Sequence, residues 1–371
     1  MKKRKFLTLL SSVAGVAALA KYFANSNPKS QEASVVNSPI LNQFPLDFQW
    51  PTIEPFLFCV HHYDFYPMGN GQYGPERSLL KGRDLGSDFQ AKDGFRMYHG
   101  EEVPGFPVHP HRGFETITIV RKGYVDHADS MGAAGRYGQG DVQWMTAGSG
   151  VQHSEMFPLL KNDSENTLEL FQIWINLPKK SKMVNPHFKM LWSEQIPKLK
   201  IQNDKAELTL IAGEWKGTRP PNPPPDSWAS QTESETLIFL LKLQPHTEFE
   251  LPISQNAVSR MLYFFEGEGL EINSQKVTSK TGFQMNGQMP TKLKSLSQEI
   301  EILMLQSKPI GEPVVQHGPF VMNSREEIVQ TIQDYQRTQF GGWPWERHDM
   351  VHGSKIERFA KNADGKIEKP S

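Results

Sequence analysis

Short segments in which apolar and polar residues alternate make up most of the chain after residue 45, and Gly, Pro, Asn or Asp separates them. Alternation with a period of two is typical of a β-strand that buries one face. Residues 115–120 show this alternation, whereas residues 169–177 are apolar on both faces. Further strand candidates follow at regular spacing between residues 208 and 305. The pattern predicts an all-β protein whose second barrel or sandwich begins near residue 200.

One segment near the C-terminal end has the period of a helix instead. Ser324 and Glu327 form a capping box, in which the first side chain caps the helix and the second reaches back. Ile328, Ile332 and Tyr335 follow at helical spacing, so the sequence predicts a short helix over residues 325–340. Residues 347–371 are polar and of mixed charge, and we expect them to be frayed.

The N-terminal residues have the features of an export signal. Residues 2–5 are all Lys or Arg, residues 6–20 carry no charge, and residues 18–20 offer a small-x-small cleavage site. The apolar stretch is shorter than a membrane span of about 20 residues. We therefore expect residues 1–26 to be an export signal and residues 27–44 to be a polar linker. An uncleaved amphipathic anchor is the alternative.

Residues 3–7, Lys-Arg-Lys-Phe-Leu, resemble a twin-arginine signal in which lysine replaces the first arginine. That route exports folded proteins, so a metal could be loaded before export. The expected location is the periplasm, with the cytoplasm as the alternative.

Composition adds few constraints on function. The 371 residues allow two or three domains, and a formal net charge of −1 provides no bulk basic signal for nucleic acid. The single cysteine, Cys59, excludes an internal disulfide and is expected to be a small buried apolar residue.

Two short motifs carry candidate chemistry. His109 and His111 are two residues apart, and so are His153 and Glu155. Side chains at this spacing on a strand share one face, so two facing strands could aim three imidazoles and one carboxylate at a single point. Such ligands suit first-row divalent metals and leave coordination positions open for chemistry. The sequence therefore predicts a catalytic rather than a structural metal site.

Several other residues near these motifs are candidates for the site. His61 and His62 are adjacent, so on a strand they would face opposite sides, and we expect neither to be a ligand. His127 is expected in a turn, with a supporting contact to the site as the alternative. Trp144 and Trp174 are expected in the core, and one of them could form a wall of the metal pocket.

The chain resembles the pirin family. The likeness is densest over residues 109–116 (HPHRGFET), 140–148 (GDVQWMTAG), 153–155 (HSE) and 311–323 (GEPVVQHGPFVMN), and it extends from about residue 84 to about residue 335. The resemblance implies two tandem cupin-type jelly-roll barrels: a metal-binding barrel over residues 45–195 and a barrel without metal ligands over residues 200–308. Residues 309–371 would form a C-terminal segment that contains the helix.

The resemblance also implies the ligand set. The family pattern maps onto His109, His111, His153 and Glu155, and the metal is expected to be one Fe(II) ion, with Cu, Mn, Ni and Zn as alternatives. The general cupin pattern would instead place the ligand glutamate at Glu115. We expect Glu115 to be a buried polar group that needs a partner, with ligation as the minor alternative.

The function implied is less specific than the fold. Some pirins oxidise the flavonol quercetin, which favours a dioxygenase that acts on O2 and a flavonol or another metal-chelating aromatic, with Glu155 as ligand and base. Other pirins are regulatory, so a non-catalytic metal-dependent sensor or cofactor protein is the alternative. An iron store is a weaker third possibility. We expect no nucleic-acid partner, no stable membrane insertion once the signal is removed, and a monomer.

Overall fold

A computed structural model describes residues 38–278 and 280–371. The predicted export signal and residues 27–37 of the predicted linker lie outside the described residues. The described chain is mostly β-strand, with one α-helix near its C-terminal end. Its strands form two cupin barrels in tandem, which confirms the predicted fold class. Across the part of the chain that the structure describes, no helix is both long and apolar enough to cross a membrane.

The first barrel is built from two antiparallel sheets. A five-stranded sheet has the order β10-β7-β4-β9-β2, and a six-stranded sheet has the order β24-β23-β6-β5-β8-β3. Their strands are β2 (Phe56–Tyr66), β3 (Gly105–His111), β4 (Phe114–Lys122), β5 (Tyr124–Asp129), β6 (Ala134–Gly138), β7 (Val142–Thr146), β8 (Val151–Met156), β9 (Asn166–Asn176), β10 (His187–Leu191), β23 (Phe359–Lys361) and β24 (Ile367–Glu368).

The second barrel pairs a seven-stranded sheet, β1-β18-β15-β20-β13-β12-β11, with a four-stranded sheet, β14-β19-β16-β17. Their strands are β1 (Ile40–Pro45), β11 (Lys198–Ile201), β12 (Ala206–Ala212), β13 (Leu237–Leu243), β14 (Glu248–Leu251), β15 (Ser259–Glu266), β16 (Leu270–Ile272), β17 (Gln275–Val277), β18 (Thr281–Asn286), β19 (Thr291–Ser295) and β20 (Ile300–Ser307). A separate hairpin joins β21 (Val315–His317) to β22 (Phe320–Met322).

The apolar side chains form three large clusters. One fills the second barrel, one fills the first, and a third lies between the five-stranded and seven-stranded sheets. In the third cluster, Ile117 and Ile173 of the first barrel pack with Tyr263 and Leu303 of the second. Strand alternation explains this arrangement, because successive residues of β4 and β15 face a barrel interior and the interface in turn.

Strand β1 corrects the predicted linker over residues 27–44. Its residues pair antiparallel with β18, from Ile40 opposite Met285 to Pro45 opposite Thr281. The polar composition of this stretch hid the strand because β1 lies at the edge of its sheet with most of its side chains exposed or half-buried. The first described strand therefore belongs to the second barrel.

The helix, α1, spans Arg325–Thr338 and ends two residues before its predicted limit. The Ser324 hydroxyl accepts a hydrogen bond from the Glu327 backbone N–H at 3.2 Å, as a capping box requires. Gln339 and Phe340 both adopt left-handed backbone conformations, which turn the chain away from the helix axis.

The C-terminal residues 343–371, called the strap below, are not frayed. Strand β23 extends the six-stranded sheet by pairing with β6. The buried Arg136 donates hydrogen bonds to the carbonyls of Gly353 (2.8 Å) and Lys355, and it pairs with Asp126. Trp345 Nε1 donates to the Asp129 carbonyl at 2.8 Å. Composition could not indicate these contacts, because they join backbone of a polar segment to buried charges far away in sequence.

Candidate metal centre

The two predicted motifs lie on neighbouring strands of the six-stranded sheet. Strand β3 pairs antiparallel with β8, and His109 lies directly opposite His153. His111 follows His109 by two residues and therefore points to the same side. The structure brings the three imidazoles together, with their candidate ligand atoms within 4.8 Å of one another.

A glycine permits the turn that follows the first motif. Gly113 has a φ of +85°, and a Cβ at this position would lie 2.0 Å from the Val321 carbonyl oxygen. Only a residue without a side chain fits there. Val321 belongs to β22, so the C-terminal signature predicted from residues 311–323 packs against the turn beside the imidazoles.

The imidazoles have the form that metal coordination requires. Burial lowers the pKa of His109 to about 4 and holds the pKa of His111 and of His153 well below the usual value, so the rings are neutral. The Nδ1 atom of His109 lies 2.9 Å from the Pro107 carbonyl, which makes Nδ1 the donor and leaves Nε2 with a free lone pair.

Within the cluster, three buried ring nitrogens have no hydrogen-bond partner among the described residues: His111 Nδ1 and both nitrogens of His153. Buried polar atoms are normally paired, so this cluster requires an additional partner. A divalent metal ion fits, because neutral imidazoles are its usual nitrogen ligands. The donor set by itself does not select one metal.

The predicted fourth ligand, Glu155, lies beside this cluster rather than within it. Its Oε2 is 3.8 Å from His153 Nε2. Thr118 Oγ1 donates to its Oε1 at 3.1 Å, and Gln172 Nε2 donates to its Oε2 at 2.7 Å. Burial raises its pKa above the usual value. Its ligation stays a prediction.

Thr118 and Gln172 were not recognised from the sequence, although strand alternation contained the signal. Thr118 has the same parity on β4 as the buried Phe114 and Val120, and Gln172 has the same parity on β9 as Leu170. Polar side chains at interior positions of otherwise apolar strands are candidates for a polar site.

His127 departs from its predicted placement. It lies in strand β5, not in a turn, and it is fully buried opposite Glu155. Its ring centroid is 5.4 Å from that of His153, and its Nε2 lies 3.2 Å from Asp129 Oδ2. The spacing of His127 and Asp129 is compatible with a strand, but nothing near them in sequence shows that β5 pairs with β8.

The aromatic candidates separate clearly. The ring of Trp174 lies 5.4 Å from that of His111 and forms part of the wall, whereas Trp144 belongs to the apolar cluster between the barrels.

His61 stacks on Phe171 at 4.4 Å, and the His62 imidazole contacts the Tyr98 hydroxyl at 2.7 Å. The adjacent histidines thus face opposite sides of β2, and neither belongs to the imidazole cluster.

Glu115 also faces away from the imidazoles, toward the second barrel. Thr146 Oγ1 donates to its Oε1 at 2.6 Å, and Ser227 Oγ donates to its Oε2 at 2.5 Å. Burial raises the pKa of Glu115 to about 7. The prediction that Glu115 is a buried polar group with partners is confirmed.

Comparison with known proteins agrees with this geometry. The pirin profile matches residues 51–175, and the profile of the pirin C-terminal cupin domain matches residues 238–341. Over 257 residues, 67% of this chain and 82% of the relative, the chain is 38% identical to a pirin-like protein of Solanum lycopersicum. Human pirin is 35% identical over 255 residues, 67% of this chain and 81% of the relative. The chain belongs to the pirin family.

Other relatives of this pirin carry the name of an enzyme. A protein of Pseudomonas aeruginosa with a provisional name as a quercetin 2,3-dioxygenase is 36% identical over 239 residues, 64% of this chain and 79% of the relative. The crystal structure of quercetin 2,3-dioxygenase from Acinetobacter baumannii is 26% identical with a TM-score of 0.65, and it covers 82% of this chain and 98% of that one.

Proposed function

We propose that this pirin is a metal-dependent dioxygenase whose substrate is a flavonol such as quercetin or another metal-chelating aromatic, and that Fe(II) is the metal. The observation that carries the proposal is the convergence of three neutral imidazoles with unpartnered nitrogens inside the first barrel. The relatives named for quercetin dioxygenation support the reaction class.

The residues around the imidazoles suit this chemistry. A bound divalent ion held by four protein ligands would supply two open positions, one for O2 and one for an oxygen of the substrate. Glu155 is proposed as a further ligand and as the base that takes the proton of a substrate hydroxyl. Its position beside the imidazoles, with Oε2 3.8 Å from His153 Nε2, supports this role. Thr118 and Gln172 hold the carboxylate in place.

Aromatic side chains border the imidazoles on two sides. Trp174 and Phe114 contact His111, and Phe106 contacts His109, with ring centroids between 5.0 and 6.3 Å apart. Flat aromatic walls suit a flat aromatic substrate. The buried Trp174 Nε1 has no partner in residues 38–278 and 280–371, so it offers a donor to a substrate oxygen.

Oxygen uptake by the metal-loaded protein tests the proposal. The purified chain is loaded with Fe(II), and in parallel with Cu, Mn, Ni or Zn, and is then given quercetin, 3-hydroxyflavone or flavone. We expect uptake with the first two compounds and none with flavone, which lacks the chelating hydroxyl. His153→Ala should abolish uptake, whereas His61→Ala should retain it. A fully loaded protein that consumes no O2 with any compound would favour the sensor alternative.

We also propose that the protein is exported and that its signal is removed by cleavage after Ala20, on the strength of the basic, apolar and small-residue segments of the N-terminus. Intact-mass measurement of the protein from its native host tests this. A mature periplasmic chain that lacks residues 1–20 is expected. A cytosolic protein that begins at Met1 would contradict export and favour a regulatory role.

A further inference from the structure

A cavity of about 800 Å³ opens at one end of the second barrel, away from the imidazole cluster. Its walls come from the proline-rich residues 219–225, from residues 229–237 and from residues 252–256. Lys189 of the first barrel also borders it. The volume is within the range of small-molecule sites, about 300–1,000 Å³.

The cavity is also lined by a polar pair on the interior face of the barrel. Arg260 on β15 lies directly opposite Gln306 on β20. Strand alternation places Arg260 on the same face as Leu262 and Phe264, which belong to the apolar core of this barrel. The pair therefore forms a polar layer where the apolar interior of the barrel meets the cavity.

Arg260 is fully buried, and its hydrogen bonds all go to neutral groups. Its Nε and Nη2 donate to Gln306 Oε1 at 2.7 and 2.5 Å, and Nη2 also donates to the Pro252 carbonyl at 2.7 Å. Its Nη1 is buried and has no partner among the described residues. Burial of this charge lowers the pKa of Arg260 to about 10.

The two carboxylates that border the cavity are already engaged. Glu235 accepts hydrogen bonds from Ser254 Oγ at 2.8 Å and from Asn256 Nδ2. Glu214 pairs with Arg219 in an exposed ion pair. A buried cation without a counter-ion is costly, so the polar layer requires an anion that the described residues do not supply.

We propose that this cavity binds a small organic carboxylate, whose anionic head pairs with Arg260 and whose body lies between the proline-rich loop and residues 252–256. A carboxylate fits better than a phosphate, because one guanidinium nitrogen is free and phosphate sites gather several donors. The inference is independent of the metal chemistry proposed for the first barrel.

Calorimetric titration of the full chain with acetate, octanoate and trans-cinnamate tests the proposal, with cinnamamide as the neutral counterpart and inorganic phosphate as the competing anion. We expect saturable one-to-one binding of at least one carboxylate, and binding of its amide weaker by about tenfold or more. No saturable binding by any carboxylate, or tighter binding of phosphate, would overturn the proposal.

Three variants locate the bound carboxylate. Arg260→Met combined with Gln306→Leu extends the apolar interior and should abolish binding without lowering the melting temperature of the ligand-free protein, because a buried charge is removed. Arg77→Met, which changes an exposed arginine that does not border the cavity, is the matched control, and His153→Ala removes one imidazole of the metal cluster; both should bind as wild type does. Binding lost in His153→Ala and retained in the double variant would assign the carboxylate to the imidazoles.

A second measurement does not depend on the folding of a variant. Crystals of the wild-type protein soaked in 4-bromocinnamate should show anomalous bromine density inside the cavity, with the carboxylate at Arg260. Density only at the imidazole cluster, or none in the cavity, would overturn the assignment.

Discussion

The two barrels share an architecture and differ in what their interior strand faces carry. In the first barrel, β3 and β8 present three neutral imidazoles to one point, and two of these rings carry nitrogens without a partner. In the second, β15 and β20 present apolar side chains and a single polar layer, Arg260 with Gln306. The two barrels therefore share a scaffold, and a few interior side chains determine the chemistry of each.

The difference is also one of electrostatics. The first barrel gathers neutral nitrogens that can donate electron pairs to a cation, whereas the second holds a buried cation that can attract an anion. Both arrangements leave polar atoms without protein partners, which native proteins rarely tolerate. Each barrel thus carries unpartnered atoms suited to the ligand proposed for it.

The largest expected effect is the loss of metal from the first barrel. His109→Ala, His111→Ala and His153→Ala should each strip most of the metal, because each removes one of three converging nitrogens. The expected loss of metal affinity is larger than the loss of about 10–100-fold that follows when a residue hydrogen-bonded to a metal ligand is mutated. Metal content by mass spectrometry after purification measures it.

His61→Ala and His62→Ala are the matched controls, since both side chains lie outside the cluster. They should keep wild-type metal content. Equal metal in all five variants and wild type would show that the imidazoles are not the ligands.

The two buried glutamates of the first barrel are expected to differ in their effect on metal binding and turnover. Glu155→Gln should lose turnover and weaken metal binding, because a neutral amide is a poorer ligand for a divalent ion and cannot accept the substrate proton. Glu115→Gln should keep the metal, since Glu115 faces the second barrel. Side-by-side measurement of metal content and oxygen uptake distinguishes them. A metal-free Glu115→Gln and a loaded, active Glu155→Gln would reverse the assignment.

The sequence predicted the imidazoles well because both motifs are local. A spacing of two residues on one strand is enough to place His109 beside His111, and the family resemblance indicated that His153 joins them. Prediction from the sequence failed where the placement of a residue depends on partners distant in sequence. His127 was assigned to a turn because nothing near it in sequence shows that it lies opposite Glu155, and the edge strand β1 was mistaken for a linker because its partner β18 follows about 240 residues later.

The strap is a third difference between the barrels, because all the strap contacts named above are with the first barrel. Deleting residues 343–371 removes five hydrogen bonds to the first barrel: two donated by Arg136 and one each accepted by Asp126, Asp129 and Asp141. At about 1 kcal/mol each, we expect a loss of roughly 5 kcal/mol in the free energy of unfolding.

Hydrogen exchange shows where the deletion acts. Amides of β5 and β6 should exchange faster in the truncated protein, whereas those of β13 and β20 should keep their protection. Faster exchange spread equally over both barrels would mean that the strap stabilises the whole chain rather than the first barrel.

The smallest effect concerns the interface between the barrels, where Glu115 meets Ser227. Burial raises the pKa of Glu115 from 4.5 to about 7, so the folded state favours its protonated form. The stability that this group contributes is present below pH 4.5 and is lost as the pH rises through about 7, because the folded protein then buries a charge. The difference between these values corresponds to roughly 3 kcal/mol at most.

Glu115→Gln cannot titrate, so it should be less stable than wild type at pH 5, where it disturbs a satisfied hydrogen-bond pair, and should close that gap as the pH rises to 8. Urea unfolding of both proteins at several pH values in the presence of EDTA measures the gap without interference from metal. Glu233→Gln, which changes an exposed carboxyl, should show no such trend. A gap between Glu115→Gln and wild type that stays constant across the range would mean that the hydroxyls of Thr146 and Ser227 keep Glu115 ionised despite its burial.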